Sequence, residues 1–163
     1  MKAAQEREYS EYVTARLPVL HRAAYLLTGD AHRADDIVQS TVTALYVHWP
    51  KARAADNTDA YVHRMLMHQF LDEKRLAWSR VLLGWARDRP APQALAFEDR
   101  NLVHTALRKL PKGQRAVLVL RFLYDLSIEE TAAAMRCSTG NVKSQTSRAL
   151  EKMRTLLPSR SQA

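Results

Sequence analysis

Cysteine is nearly absent from this chain of 163 residues, and glycine is scarce, with four in all. The single Cys137 excludes an internal disulfide and a zinc site built from several thiolates. At its position it reads as a small core residue. Few glycines and few β-branched runs leave little material for hairpin turns and strands. Long apolar repeats at helical spacing point instead to an all-α fold. No apolar run approaches the roughly 20 residues of a membrane span. The N-terminal stretch also lacks a signal-peptide core, so a soluble cytoplasmic protein is expected. His63 and His68 are five apart rather than four, and do not share a helix face as a zinc pair would. The other histidines are scattered. No metal and no other cofactor is expected.

What the chain does contain is concentrated between Leu126 and Leu157. Ser127 followed by Glu130 is a capping box that opens an alanine-rich helix. The step Met135-Arg136-Cys137 interrupts it, and Ser138 offers a second N-cap hydroxyl. From Thr139 on, Val142, Thr146, Ala149, Leu150, Met153 and Leu157 fall on one side of a helical wheel. Asn141, Lys143, Ser144, Ser147, Arg148 and Lys152 fall on the other. A short helix, a tight turn and a longer helix with a small, polar, basic outer face form the helix-turn-helix pattern, whose second helix enters the DNA major groove. The plainer alternative is a helical hairpin with a solvated face. Gly140, Ser144 and Ser147 weigh against it, because small residues cost helix propensity and suit a face that something approaches closely.

The formal net charge of +8 is unevenly placed. Residues 1–50 carry five basic and six acidic side chains, whereas residues 101–163 carry eleven and four. The surplus sits with the helix-turn-helix, as phosphate binding requires.

Along the chain, Gln5 to Thr28 reads as a helix in which Pro18 should start a new turn or kink and which Gly29 ends. A second helix should begin after Asp30 and run through Tyr46, stopped at Trp49-Pro50. Its polar side carries Asp35, Asp36 and Gln39. No third ligand lies at helical spacing, so that face is either solvated or bound to a protein, and catalysis is not expected. A loop, Pro50 to Asn57, should precede a third helix capped by Thr58 and continuing to about Arg80. Arg64, His68, Lys74, Arg75 and Arg80 give that helix a basic flank beside Tyr61 and Phe70, a mixture that stacks bases and tracks phosphates. Residues 81–100 read as a linker. From Asn101 a short helix ends at Pro111, and an apolar one runs from Gln114 to Leu123. The expected architecture is two small helical domains, 1–80 and 101–163, joined by a flexible linker, the second a four-helix domain with the helix-turn-helix.

The order of motifs resembles a known family. Leu27-Thr-Gly-Asp30, Ala34-Asp-Asp-Ile-Val-Gln39 and Trp49 look like region 2 of the extracytoplasmic-function (ECF) sigma factors of bacterial RNA polymerase. Leu110-Pro-Lys-Gly-Gln-Arg115, Leu126-Ser-Ile-Glu-Glu-Thr-Ala132 and Cys137-Ser-Thr-Gly-Asn-Val-Lys-Ser-Gln145 look like their region 4, especially in the sigma-E-like subfamily. The resemblance implies an alternative sigma factor that is not itself an enzyme. It would bind core polymerase, direct it to promoters through the −10 and −35 elements and promote melting. By the same resemblance Asp35, Asp36 and Gln39 dock on the clamp helices of the largest subunit. Region 4 meets the flap of the second. Arg53, Asn57, Tyr61, Arg64, His68 and Arg75 serve the −10 element and melting. Thr139, Asn141, Lys143, Ser144, Ser147 and Arg148 read the −35 element. A cognate anti-sigma factor is a further partner common in the family. His68, where asparagine is common, and Ser40, where glutamate is frequent, depart from its pattern. A free-standing DNA-binding regulator and a protein that only sequesters a partner are the competing classes. The charge division and the region-2 motifs speak against both.

Overall fold

The computed structural model describes residues 2–73 and 102–157. All the regular elements among them are helical: α1 (Ala3–Thr28), α2 (Ala31–Ala54), α3 (Thr58–Leu71), α4 (Leu102–Arg108), α5 (Lys112–Leu118), α6 (Ile128–Met135) and α7 (Thr139–Leu156). The expected linker at 81–100 lies outside the described residues, as do Lys74, Arg75 and Arg80.

Helices α1 to α3 pack through side chains recurring at helical spacing: Leu20, Ala24 and Leu27; Ile37, Val38 and Leu45; Val62, Leu66 and Phe70, all at most 1% exposed. Trp49 is 2% exposed. Its ring centroid lies 5.7 Å from Tyr9 and 5.4 Å from Tyr12, an aromatic cluster that ties α1 to α2. The Tyr12 hydroxyl donates to Asp59 at 2.5 Å and Arg16 pairs with the same carboxylate at 2.9 Å, which joins α1 to the first turn of α3.

One expected break, at Pro50, does not occur. α1 runs through Pro18, and α2 runs through Pro50 to Ala54. Both prolines are exposed, and so are Thr14 and Tyr46 four residues earlier, so water can serve the carbonyls that lose a backbone donor. Burial of Trp49 and Ala52 on either side of Pro50 gives the helix reason to continue. The expected 50–57 loop therefore shrinks to 55–57. Asn57, not Thr58, caps α3, its side chain accepting the Ala60 N–H at 3.0 Å. The Thr58 hydroxyl donates instead to the Ala52 carbonyl at 3.1 Å.

Gly29 does end α1 in the left-handed region, at φ 66°. Asp30 caps α2 by accepting the Arg33 N–H at 3.0 Å.

In the second half, Ala106, Leu107, Leu110, Leu118, Ala149 and Met153 form their own buried cluster. The apolar helix expected over 114–123 is α5 followed by a π-helical turn, Val119–Leu123. The wider turn ends with the Tyr124 N–H on the Val119 carbonyl and leaves Phe122 60% exposed while Leu120 stays inside. Ala116, Val119, Leu120, Leu126 and Ala134 join the cluster formed by α1 to α3. The two halves thus share apolar surface.

Candidate nucleic-acid interface

The helix-turn-helix forms as its local chemistry dictates. Ser127 accepts the Glu130 N–H at 3.0 Å and opens α6. Arg136 takes φ 55° and closes it, at a cost of about 1–2 kcal/mol relative to glycine. Two residues on, Ser138 accepts the Asn141 N–H at 3.0 Å and opens α7. Val142, Ala149 and Met153 are buried, and this seating leaves Thr139, Asn141, Lys143, Ser144, Ser147 and Arg148 all exposed on one face. The structure brings these six together as expected. The face is convex, has two cations and four small polar groups, and suits the major groove.

The other expected DNA residues are more dispersed. Arg53 is exposed near the end of α2 and pairs with Glu8 at 2.9 Å. Asn57 is exposed, but its side-chain oxygen is committed to the cap of α3, leaving its amide to donate. Tyr61 packs partly against the core. Arg64 is exposed one turn further on. His68 is half-buried, its Nδ1 3.4 Å from the Arg136 guanidinium. Burial, then the Arg136 charge, push its pKa below the ordinary value. Arg75 lies outside the described residues. On α2, Gln39 is exposed and Asp35 and Asp36 are half-buried, so the three form one polar side of the helix. Among the described residues no group of three His, Cys, Asp or Glu could hold a metal ion, and no helix is long and apolar enough to cross a membrane.

Sequence reasoning missed the residues that join the two halves. His63 stacks on Tyr124. Burial pushes the His63 pKa down from 6.5 to about 4, with nearby Asp59 opposing and Arg16 reinforcing. Arg115 donates to the carbonyls of Leu107 and Leu110 at 2.9 and 3.0 Å, and to that of Leu27 across the interface. Glu73 takes a two-pronged pair from Arg33, and Lys112 approaches it at 3.7 Å. Burial alone would raise the Glu73 carboxyl, but these two cations hold it below the ordinary range. Lys112 also sits 4.5 Å over the Phe70 ring. Periodicity carries no signal for such pairs, because each partner is ordinary within its own helix.

Comparison with known proteins agrees with this geometry. The family "Sigma-70 region 2" matches residues 12–80, and "Sigma-70, region 4" matches residues 100–153. The chain is 34% identical over 160 residues to the RNA polymerase sigma-E factor of Streptomyces avermitilis, covering 94% of this chain and 87% of that protein. It is 31% identical over 152 residues to the ECF RNA polymerase sigma factor EcfG of Rhodopseudomonas palustris, covering 89% and 82%. The fold is similar to that of the sigma factor RpoE solved with the anti-sigma factor NepR from Bartonella quintana, with a TM-score of 0.72 and 23% identity, covering 94% of this chain and 99% of that one. It is also similar to CnrH in complex with the cytosolic domain of CnrY, with a TM-score of 0.60 and 24% identity over 96% and 91%.

Proposed function

This chain belongs to the ECF sigma factors of the sigma-70 family, and from that premise we propose how its surfaces divide the work. It is a promoter-specificity factor of RNA polymerase that acts in transcription initiation, a regulatory rather than a catalytic role. Its place of action is the bacterial cytoplasm, at the nucleoid.

In this reading residues 1–80 bind core polymerase and the −10 element, and residues 101–163 bind the −35 element. Asp35, Asp36 and Gln39 meet the clamp helices of the largest subunit, and residues 101–163 meet the flap of the second. Arg53, Asn57, Tyr61, Arg64, His68 and Arg75 engage the −10 element. Extruding a base costs a few kcal/mol, which a basic flank and an aromatic neighbour can offset. Thr139, Asn141, Lys143, Ser144, Ser147 and Arg148 read the −35 element. Asn141 suits an adenine edge, and Lys143 or Arg148 a guanine or a phosphate. The observation that carries the assignment is the exposure of all six α7 residues on one face of a capped recognition helix. A sigma factor of the same fold was solved with the anti-sigma factor NepR, and a cognate anti-sigma factor is the regulatory partner proposed for this chain.

Run-off transcription with bacterial core polymerase on pooled genomic promoter fragments tests this. Discrete transcripts that require the added chain are expected, and the Asp36→Arg variant should co-purify poorly with core. Binding to duplex DNA in the absence of core, without transcripts, would instead make the chain a free-standing regulator.

A further inference from the structure

The short turn between α2 and α3 carries Asn57 and leads to Tyr61, two of the residues offered to the −10 element. We propose that the face of α1 bearing Glu8, Tyr12 and Arg16 braces that turn, and that Asp59, gripped by Tyr12 and Arg16, is a positioning residue for opening the −10 duplex. The inference rests on the sigma-factor reading above and concerns residues to which that reading gives no role.

Three observations support it. The first is register. Glu8, Tyr12 and Arg16 are spaced four apart and so lie along one face of α1. That face reaches both sides of the turn. Before it, Glu8 pairs with Arg53 at 2.9 Å. After it, Asp59 accepts from the Tyr12 hydroxyl at 2.5 Å and from Arg16 at 2.9 Å, both on the same carboxylate oxygen. The Thr58 hydroxyl crosses the turn itself to the Ala52 carbonyl at 3.1 Å. Asp59 lies two positions after Asn57 and two before Tyr61, so holding it sets the place of both.

The second is where the brace is rooted. The Tyr12 ring packs on Trp49, with centroids 5.4 Å apart, and Trp49 is 2% exposed. The Arg16 guanidinium stands 5.7 Å from the centre of the Tyr12 ring. The grip on Asp59 is thereby fixed to the buried aromatic cluster. Both ion pairs lie at the surface, where such pairs add little to global stability. Leu20, Ile37, Leu45, Val62 and Phe70 hold α1 to α3 together without them. What a surface tie can do is restrict an exposed turn before its ligand arrives. Asp56 and Asn57 are exposed, and capture of a base by a loose turn would carry the added cost of ordering that turn.

The third is charge. Asp59 places a carboxylate beside a face meant for phosphates. Burial alone would raise its carboxyl, but the Tyr12 hydroxyl, Arg16 and His63 hold it below the ordinary range. It is therefore ionised at neutral pH. The Arg16 cation balances it where a bare carboxylate would repel the DNA backbone.

The test uses the full chain with bacterial core polymerase on a promoter found by run-off transcription. Permanganate reactivity of the −10 thymines gives the rate of strand opening. Gel filtration reports association with core, and filter binding of the holoenzyme to a duplex holding only the −35 element reports the other contact. Tyr12→Phe keeps the ring on Trp49 and removes only the hydroxyl, and Arg16→Gln removes the charge. Each should slow opening about tenfold, while core association, −35 binding and helical circular dichroism stay as in the parent. Because Tyr12 acts through Asp59, adding Tyr12→Phe to Asp59→Ala should slow opening little further. Should Asp59→Ala fail to fold, the two α1 variants decide. Opening at the parent rate in both overturns the proposal, and so do additive losses in the double variant. An equal loss of core association and −35 binding also overturns it, since that marks a merely structural tie. A parent chain that opens no promoter with core refutes the sigma-factor reading and the brace with it. Variants as fast as an active parent refute the brace alone.

Discussion

His63 on α3 and Tyr124 beyond the π-helical turn lie ring on ring, with centroids 3.7 Å apart and planes 27° from parallel. The stack joins the two halves of the chain and keeps the imidazole from water. Burial disfavours its charged form and lowers its pKa from 6.5 to about 4.

This makes stability depend on pH in a definite direction. In the unfolded chain His63 takes up a proton near its ordinary pKa, whereas in the folded chain it stays neutral until about pH 4. Its contribution is complete above about pH 6.5 and falls away as pH drops toward 4, by up to about 3 kcal/mol. His68 is shifted in the same direction. Urea unfolding at several pH values between 7.5 and 4.5 should show declining stability, and His63→Phe should flatten the decline. An unchanged slope in that variant would remove His63 as its source.

Gly29 offers a second check. Its φ of 66° is unfavourable for any residue with a Cβ, and a Cβ there would come 2.7 Å from Arg108 Nε. Arg108 donates to the Tyr25 hydroxyl at 2.8 Å. Gly29→Ala should cost about 1–2 kcal/mol in denaturant unfolding. Adding Arg108→Ala relieves the collision but not the backbone cost, so the double variant should be less destabilised than the sum of the two singles.

The exposed face of α7 makes a separable prediction. Asn141→Ala and Arg148→Ala should each weaken promoter binding by the holoenzyme by about 1–3 kcal/mol while association with core stays intact. Filter binding on matched and altered −35 sequences reads this out. For Asn141 the loss should be confined to one base position, whereas a phosphate contact at Arg148 would weaken all sequences alike and reduce the salt dependence.

The local elements were legible because their signals are local. Ser127, Ser138 and Asp30 cap helices where hydroxyl or carboxylate spacing says they should. Gly29 turns the chain left-handed, and the α7 wheel sorts Val142 from Asn141 without reference to anything outside the helix. Pro50 misled because a proline's cost depends on whether water reaches the carbonyl it strands, and exposure is a property of the packed molecule. Asn57 took the cap from Thr58 because the prolongation of α2 brought the Ala52 carbonyl within reach of the Thr58 hydroxyl.

By itself, then, the sequence determined the helices, the turn between α6 and α7 and the basic outer face of α7, all set by neighbours within a few residues. Only the tertiary structure decided that Tyr124 lies on His63, that Arg115 reaches Leu27 and that Lys112 meets Glu73. Those pairs join residues far apart in the chain, and no periodic pattern encodes them. They arise when two apolar surfaces, each patterned for its own helices, are brought together and the side chains at their edge find partners.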